Sequence, residues 1–125
     1  MKDKCFFYHA NVIDVYDGDT IRVDIDLGFN MSLRNMKVRL AGVDTAEMTS
    51  KDPALKQKAI AARDWLREKC LGKDIFLESQ GLDKYGRWLG RLHTPEGVCL
   101  NDALIQEGLA LNYDGGKKNQ ELLKS

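Results

Sequence analysis

Residues 12–27, VIDVYDGDTIRVDIDL, decide the fold that we predict for this chain. From Ile21 to Leu27 apolar and charged residues alternate, which is the pattern of a strand with one buried face. Asp17-Gly18, which joins this segment to the apolar run before it, is typical of a hairpin turn. The stretch therefore predicts two antiparallel strands connected by a tight turn.

The pattern continues for one more strand and then changes. Residues 36–40 alternate again and predict a third strand, with Arg39 on the face opposite to the apolar residues. Over residues 55–70 the apolar positions recur every three or four residues, which is the period of a helix. Asp52-Pro53 is typical of a helix N-terminus, so we expect the helix to begin there.

The remaining segments complete the predicted order of elements. Residues 75–77 and 88–93 predict two more strands, and Asn101 is the predicted N-cap of a second helix. The tail at 117–125 could add helical turns or fray. This order predicts a mainly β fold with helices (α+β), a five-stranded OB-fold Greek-key barrel with two to three helices. An unclosed antiparallel sheet with helices on one face is the alternative.

Composition and charge exclude several classes of protein. We expect 125 residues with 43% apolar and 30% charged residues to form a single domain over 1–125, with no membrane span. The first residues do not resemble a signal peptide, so we predict a cytoplasmic protein, or a secreted one if a leader was removed. Three widely spaced cysteines indicate free thiols. Nineteen basic residues balance nineteen acidic ones, which weakens a prediction of nucleic-acid binding.

Acidic residues cluster where predicted strands end. Asp19 follows the hairpin turn, and Asp44 follows the third strand. Carboxylate and carbonyl oxygens are the ligands that hard divalent cations prefer, so these two residues and the backbone carbonyl of Thr45 are candidate metal ligands. Asp17 would lie further from the ion. For Asp17-Gly18 the alternative is a hairpin turn without a ligand role.

Two arginines and a glutamate add the parts that phosphodiester cleavage requires. Arg39 and Arg87 are candidate phosphate ligands, because a guanidinium stays charged and forms paired hydrogen bonds to phosphate. Glu47 could orient or deprotonate the attacking water. The alternatives are solvated charges on strand faces and an ordinary loop glutamate. Together these residues predict a metal-dependent phosphodiesterase.

Several further side chains could contact a nucleic-acid strand. Lys84 and Tyr85 could bind a second phosphate or stack on a base, and Tyr113 could cover one edge of the site. A polar turn is the alternative for the first two, and a position on the rim is the alternative for Tyr113. Trp88 could stack on a base or belong to the core.

These motifs resemble the staphylococcal nuclease (thermonuclease) family. The matching segments span most of the chain in the family's order: 12–20, 39–47, 83–87, 101–104 and 108–110. The resemblance implies an OB-fold, calcium dependence, and hydrolysis of DNA and RNA with little sequence preference. It also implies roles: calcium ligands at Asp19, Asp44 and the Thr45 carbonyl, phosphate-binding Arg39 and Arg87, a general base at Glu47, and substrate contacts at Lys84, Tyr85 and Tyr113.

The chain also departs from the family's pattern. Ala46 stands where the family commonly has proline, the C-terminal segment is shorter, and a pair of tyrosines is reduced to Tyr113. We expect a monomeric calcium-dependent nuclease acting on DNA and RNA, with single strands preferred and Mg²⁺ or Mn²⁺ as alternative ions. The second hypothesis is a non-catalytic OB-fold module that binds single-stranded nucleic acid or a protein partner, which the zero net charge favours.

Overall fold

A computed structural model describes residues 6–112 of the chain. The predicted order of three strands, a helix, two strands and a helix is confirmed, with two additional short strands. The elements are β1 Phe6–Asp17, β2 Thr20–Gly28, β3 Met31–Leu40, β4 Val43–Asp44, α1 Pro53–Cys70, β5 Asp74–Leu82, β6 Trp88–His93, α2 Leu100–Gln106 and β7 Leu111–Asn112. The tail prediction for 117–125 lies outside the described residues.

Five of the strands close into a barrel in the order β1-β2-β3-β6-β5. Neighbouring strands are antiparallel except β3 and β6, which run parallel with Arg39 opposite Leu89. The barrel closes where β1 pairs with β5, from Phe6 opposite Ser79 to Asn11 opposite Asp74. The OB-fold prediction is confirmed, and the alternative of an unclosed sheet is wrong.

The barrel interior and the inner face of α1 hold the core. Three of the alternating apolar residues of β2, Ile21, Val23 and Ile25, are buried, whereas the last, Leu27, is 37% exposed. The carboxylate of Asp52 caps α1 by accepting hydrogen bonds from the N–H groups of Ala54 (2.9 Å) and Leu55 (3.4 Å). Because the apolar residues of α1 repeat with the helical period, they share one buried face, which consists of Leu55, Ala59, Ala62, Leu66 and Cys70.

The second helix begins earlier than predicted. Its N-cap is Cys99, which makes no capping hydrogen bond through its side chain. The predicted cap, Asn101, lies inside the first turn and is completely buried. Its amide bonds to backbone groups of β6 and of the β3–β4 turn, so its role is to join α2 to the barrel.

Two short strands were not predicted. β4 pairs with β7 in a separate two-stranded sheet, with Val43 opposite Asn112 and Asp44 opposite Leu111. Strands of two residues are too short to show an alternating pattern, which is why the sequence did not reveal them. The pair fixes the segment that carries Asp44 against the end of the described chain. Within residues 6–112, no helix has the length and apolar character needed to cross a membrane.

Candidate active site

Strand register brings the segment around Asp19 and the segment around Arg39 together at one end of the barrel. Thr20, the first residue of β2, is paired with Arg39 near the end of β3. The N–H of Leu40 donates to the carbonyl of Asp19 at 2.8 Å, which extends this pairing into the β1–β2 turn. Residues that lie some twenty positions apart in sequence therefore become direct neighbours.

Asp19 and Arg39 form a buried ion pair at this point. The guanidinium Nη2 lies 3.5 Å from Asp19 Oδ2, and each residue is only 4% exposed. Arg39 Nη1 also donates to the Leu40 carbonyl at 3.0 Å. Arg39 faces away from the apolar residues of β3, as predicted, but it is not the solvated charge that the alternative required. Removing one member of such a buried pair typically costs about 3–5 kcal/mol.

The β4 segment reaches the same carboxylate. The N–H of Thr45 donates to Asp19 Oδ2 at 3.3 Å, and the Thr20 hydroxyl donates to Asp19 Oδ1 at 3.2 Å. Asp44 and Thr45 are each 1% exposed. Among the described residues the Thr45 hydroxyl oxygen is buried without a hydrogen-bond partner. The residue whose N–H bonds to Asp19 thus also carries a buried hydroxyl oxygen that no hydrogen bond engages among residues 6–112.

A glycine permits this close approach. A Cβ atom at Gly18 would lie 2.7 Å from the Cβ of Ala62 on α1 and 2.8 Å from Cγ2 of Thr45. Only a residue without a side chain fits between the helix and the Thr45 segment. The turn that precedes Asp19 is therefore held against both.

Asp17 supports the same turn from the end of β1. Its Oδ1 accepts a hydrogen bond from the N–H of Asp19 at 3.1 Å. Burial, followed by the charge of Asp19 and a side-chain hydrogen bond to it, raises the pKa of Asp17 to about 7. Asp17 and Asp19 are therefore neighbouring carboxyl groups in a partly buried setting.

The two arginines that the sequence singled out line one pocket, which we call the arginine pocket. It is a cavity of about 260 Å³ lined by Thr20, Lys37, Arg39, Gly86, Arg87 and Trp88. Three of these side chains are cationic, and none carries a carboxylate. The arrangement can attract an anion such as a phosphate group.

The loop at residues 83–87 presents Arg87 to this pocket. Asp83 Oδ1 accepts hydrogen bonds from the N–H groups of Tyr85 and Arg87, both at 2.8 Å, and Asp83 Oδ2 lies 2.6 Å from Arg87 Nε. Burial opposes the shift, but these N–H donors and the guanidinium together lower the pKa of Asp83. The Tyr85 ring centroid lies 5.3 Å from Lys84 Nζ and 5.2 Å from Arg87 Cζ. Residues 83–87 thus form a compact turn that is stabilised by its own hydrogen bonds.

Glu47 lies on an exposed stretch after β4 and is not among the residues that line the arginine pocket. Its backbone carbonyl accepts a hydrogen bond from Ser50 N at 3.1 Å. The residue before it, Ala46, is 1% exposed and packs with Leu55 and Ala59 of α1. Alanine at this position therefore fixes the loop to the helix through apolar contact. Tyr113 lies outside the described residues.

Two residues of the site were missed by the sequence analysis. Lys37 lines the arginine pocket because it lies two positions before Arg39 on the same face of β3. Strand alternation alone could have identified it. Thr20 donates to Asp19 and lines the same pocket, which only the strand register reveals.

The described residues contain no cluster of three or more histidine, cysteine, aspartate or glutamate side chains arranged to hold a metal ion. A cation at Asp19 and Asp44 would therefore need other oxygens to complete its shell, from a backbone carbonyl, a hydroxyl, water or a substrate. Hard cations such as Ca²⁺ accept such mixed oxygen sets. Zinc, which prefers nitrogen and sulfur ligands, does not suit these residues.

Comparison with known proteins places this chain in a family. The chain is 28% identical over 110 residues to an uncharacterized endonuclease of Escherichia coli O157:H7, covering 88% of the chain and 64% of that protein. It is 33% identical over 106 residues to a thermonuclease of Staphylococcus hyicus, covering 79% of the chain and 56% of that protein. A probable endonuclease LCL3 of Nakaseomyces delphensis is 30% identical over 115 residues, which cover 88% of the chain and 44% of that protein. The chain thus spans about half to two thirds of the length of these relatives.

The family profile described as Staphylococcal nuclease homologue matches residues 37–125. That match covers most of the chain and includes the segments that carry Arg39, Asp44 and Arg87. This chain belongs to the staphylococcal nuclease family.

Proposed function

We propose that this protein is a calcium-dependent nuclease that hydrolyses phosphodiester bonds of DNA and RNA with little sequence preference. The observation that supports it most directly is the arginine pocket, which adjoins the buried Asp19–Arg39 ion pair and also contains Arg87. The names of the relatives, endonuclease and thermonuclease, point the same way.

The donor set suits calcium. Asp19 and Asp44 are both almost fully buried carboxylates, and the Thr45 carbonyl would be the third protein ligand. The buried Thr45 hydroxyl oxygen, which has no hydrogen-bond partner within residues 6–112, adds an uncommitted oxygen at the same place. Mg²⁺ or Mn²⁺ could use the same oxygens, but few carboxylates and a mixed oxygen set suit calcium better. When bound, the ion supplies positive charge next to the phosphoryl oxygens.

The roles of the side chains follow from their charge and position. Arg39 is held rigidly by Asp19 and the Leu40 carbonyl, so it presents a fixed positive charge to a phosphate in the arginine pocket. Arg87 is 43% exposed and can donate to the same phosphate from the opposite loop. As water attacks, negative charge grows on the phosphoryl oxygens, and both guanidinium groups bind that charge more tightly. Glu47 does not line the arginine pocket, so its role in orienting or deprotonating the water is proposed from its charge and from the family resemblance.

The nucleic-acid strand on either side of the bound phosphate would lie along the exposed loop at residues 83–87. Lys84 is exposed and can contact a second phosphate, and Tyr85, which is 67% exposed, offers a ring for a base. A strand that must present bases to these residues is more easily bound single than paired, so we propose a preference for single strands. The assignments of Asp17 and Tyr113, the monomeric state and the cytoplasmic location stay predictions.

The competing candidate is a non-catalytic module that binds single strands or a protein partner. Two observations favour it. The net charge is zero, and Arg87 is already paired with Asp83 at 2.6 Å. A phosphate would therefore have to compete with an internal carboxylate for this guanidinium. The two candidates differ in one measurable property, which is bond cleavage.

Cleavage of a single-stranded oligonucleotide, in calcium and in chelator, tests the proposal. We expect calcium-dependent cleavage that falls by about 10²–10³-fold in Arg87→Ala, with a comparable loss in Glu47→Ala. Arg34→Ala is the matched control, because Arg34 is a 77% exposed arginine that does not line the arginine pocket. Folded protein that cuts nothing at any calcium concentration would leave only the binding-module candidate. Near-wild-type rates in both site variants would refute the assigned roles.

The metal assignment has its own readout. Calcium bound only to the folded state raises the free energy of unfolding, by about 2.7 kcal/mol at a concentration 100-fold above its Kd. We expect this calcium-dependent rise in melting temperature in the parent chain and its loss in Asp44→Asn. A rise of equal size in both proteins would show that calcium binds elsewhere.

A further inference from the structure

Trp88 lies between two pockets and has no part in the function proposed above. It is the first residue of β6 and remains 48% exposed. Its side chain lines the arginine pocket, and it also lines a second cavity that we call the apolar pocket. Because its side chain lines both pockets, Trp88 is placed to contact a ligand that occupies the two together.

The apolar pocket is large enough for a planar ring. It has a volume of about 180 Å³, with Tyr8, Leu27, Leu33 and Met36 around Trp88. By comparison, an engineered protein cavity of about 150 Å³ with apolar walls binds benzene. The hydroxyls of Tyr8 and of Ser79, which also lines the pocket, could bond the polar edge of a ring.

We propose that the apolar pocket binds a nucleobase of the substrate strand, stacked on Trp88, next to the phosphate in the arginine pocket. This inference rests on the proposed function for the position of that phosphate. The choice of occupant follows from the different chemistry of the two pockets, which share Trp88 as a lining residue. Lys37, Arg39 and Arg87 supply a cationic surface on one side of Trp88, and apolar side chains lie on the other. A nucleotide has the same division, with an anionic phosphate beside an aromatic base.

Other exposed aromatic residues fit this role less well. The Tyr85 ring already faces the cationic groups of Lys84 and Arg87, at 5.3 and 5.2 Å from its centroid. Tyr85 also lines neither the arginine pocket nor the apolar pocket, so it is placed to meet a different base of the same strand. Phe29 is 98% exposed at the tip of the β2–β3 hairpin but does not line either pocket. Trp88 therefore has both the position and the accessible surface.

Tryptophan fluorescence can test this directly, because the chain contains only two tryptophans. Trp65→Phe leaves Trp88 as the sole reporter, and Glu47→Gln, combined with it, is expected to slow cleavage during a titration in calcium. We would titrate this variant with oligothymidylate and with a matched strand of abasic deoxyribose phosphates. Stacking predicts quenching of Trp88 by oligothymidylate only. Because adding Trp88→Ala removes the last tryptophan, its affinity is measured by the fluorescence anisotropy of dye-labelled strands. We expect it to bind oligothymidylate about 5- to 150-fold more weakly and the abasic strand equally well.

Two variants separate this effect from a folding defect. Trp88→Phe keeps an aromatic face and should retain most of the affinity. Phe29→Ala removes an aromatic side chain that is more exposed than Trp88 and lies outside both pockets, so it should leave the affinity unchanged. Equal affinities for oligothymidylate with and without Trp88 would overturn the inference, as would unchanged fluorescence at saturation, which would favour a protein side chain as the occupant.

The outcome is distinguishable from failure of the proposed function. If the chain with Glu47 intact cleaves DNA but Trp88→Ala binds normally, the inference fails and the nuclease stands. If the chain binds and quenches but never cleaves, the base site stands and the nuclease fails. If neither strand binds, the inference fails, and cleavage by the parent chain alone decides the nuclease proposal.

Discussion

Replacing Asn101 with alanine should be among the most destabilising single changes in this protein. Asn101 is fully buried, and its Oδ1 accepts a hydrogen bond from Leu92 N at 2.9 Å. Its Nδ2 donates to the carbonyls of Ala41 at 2.8 Å and Gly90 at 3.1 Å. The Gly90 carbonyl keeps a second bond from Ala41 N at 2.9 Å, so the variant leaves chiefly the Leu92 N–H and the Ala41 carbonyl unsatisfied.

The magnitude follows from these two groups. A buried donor or acceptor without a partner costs about 1–3 kcal/mol, so we expect a loss of about 3–4 kcal/mol in the free energy of unfolding. With a urea m-value of about 2 kcal/mol/M, the unfolding midpoint should fall by about 1.5–2 M. Asn11→Ala is the control, because it removes one exposed hydrogen bond to Asp74 and should cost less than about 1 kcal/mol.

A charged replacement gives a second, independent test of the same contacts. Asn101→Asp keeps an acceptor for Leu92 N but turns a carboxylate toward two carbonyls, so burial should raise its pKa in the folded state. The folded state then binds more protons than the unfolded state, and the deficit should shrink as the pH falls toward 4. This prediction would be refuted if Asn101→Ala shifted the urea midpoint no more than Asn11→Ala, or if the stability of Asn101→Asp showed no such dependence on pH. The Asn101 hydrogen bonds would then contribute less to the free energy of unfolding than we infer.

Three further predictions concern packing, a thiol and a loop. Gly18→Ala should lower the free energy of unfolding in urea by about 1–3 kcal/mol, because the new Cβ would lie 2.7 Å from the Cβ of Ala62. An unchanged urea midpoint would contradict this packing. Burial raises the pKa of Cys70 to about 12, so an alkylating reagent should modify this thiol only after the protein is unfolded, as peptide mapping would show. Equal alkylation of the native protein would refute the burial of Cys70. Because the pKa of Asp83 is lowered in the folded state, its ionised carboxylate stabilises the 83–87 loop at pH values above the ordinary pKa of 3.8. This stabilisation is lost as the pH falls through the lower pKa that Asp83 has in the folded state. Proteolysis of the loop should therefore increase in acid for the parent chain but not for Asp83→Asn, and parallel profiles would argue against the contact.

Local patterns in the sequence were sufficient for most of the fold. Alternation identified β2 and β3, and Asp52-Pro53 marked the start of α1, because both signals arise within a few residues. Asn101 was wrongly predicted to be the N-cap of the second helix. Its hydrogen-bond partners lie 9 to 60 residues away in the sequence, so no local sequence pattern indicates them. β4 and β7 were missed for the same reason, since pairing over a long separation defines them.

The candidate site was only partly accessible to the same reasoning. Residue chemistry pointed to Asp19, Arg39 and Arg87, but their mutual proximity depends on strand register and on the 83–87 loop. Burial of Arg39 could not be foreseen from alternation, which placed it on an outer face. The chemical roles of these residues stay predictions until cleavage is measured.

The pairing of β4 with β7 has a consequence for the time at which the site forms. Asp44 is aligned with Leu111, so the segment holding this carboxylate finds its partner only after almost all of the described chain has left the ribosome. If the proposed function holds, a nascent chain arrested before Leu111 should therefore form the barrel but bind calcium more weakly and cleave nucleic acid more slowly than the longer chain. Full cleavage by such an arrested chain would show that late pairing offers no protection during translation.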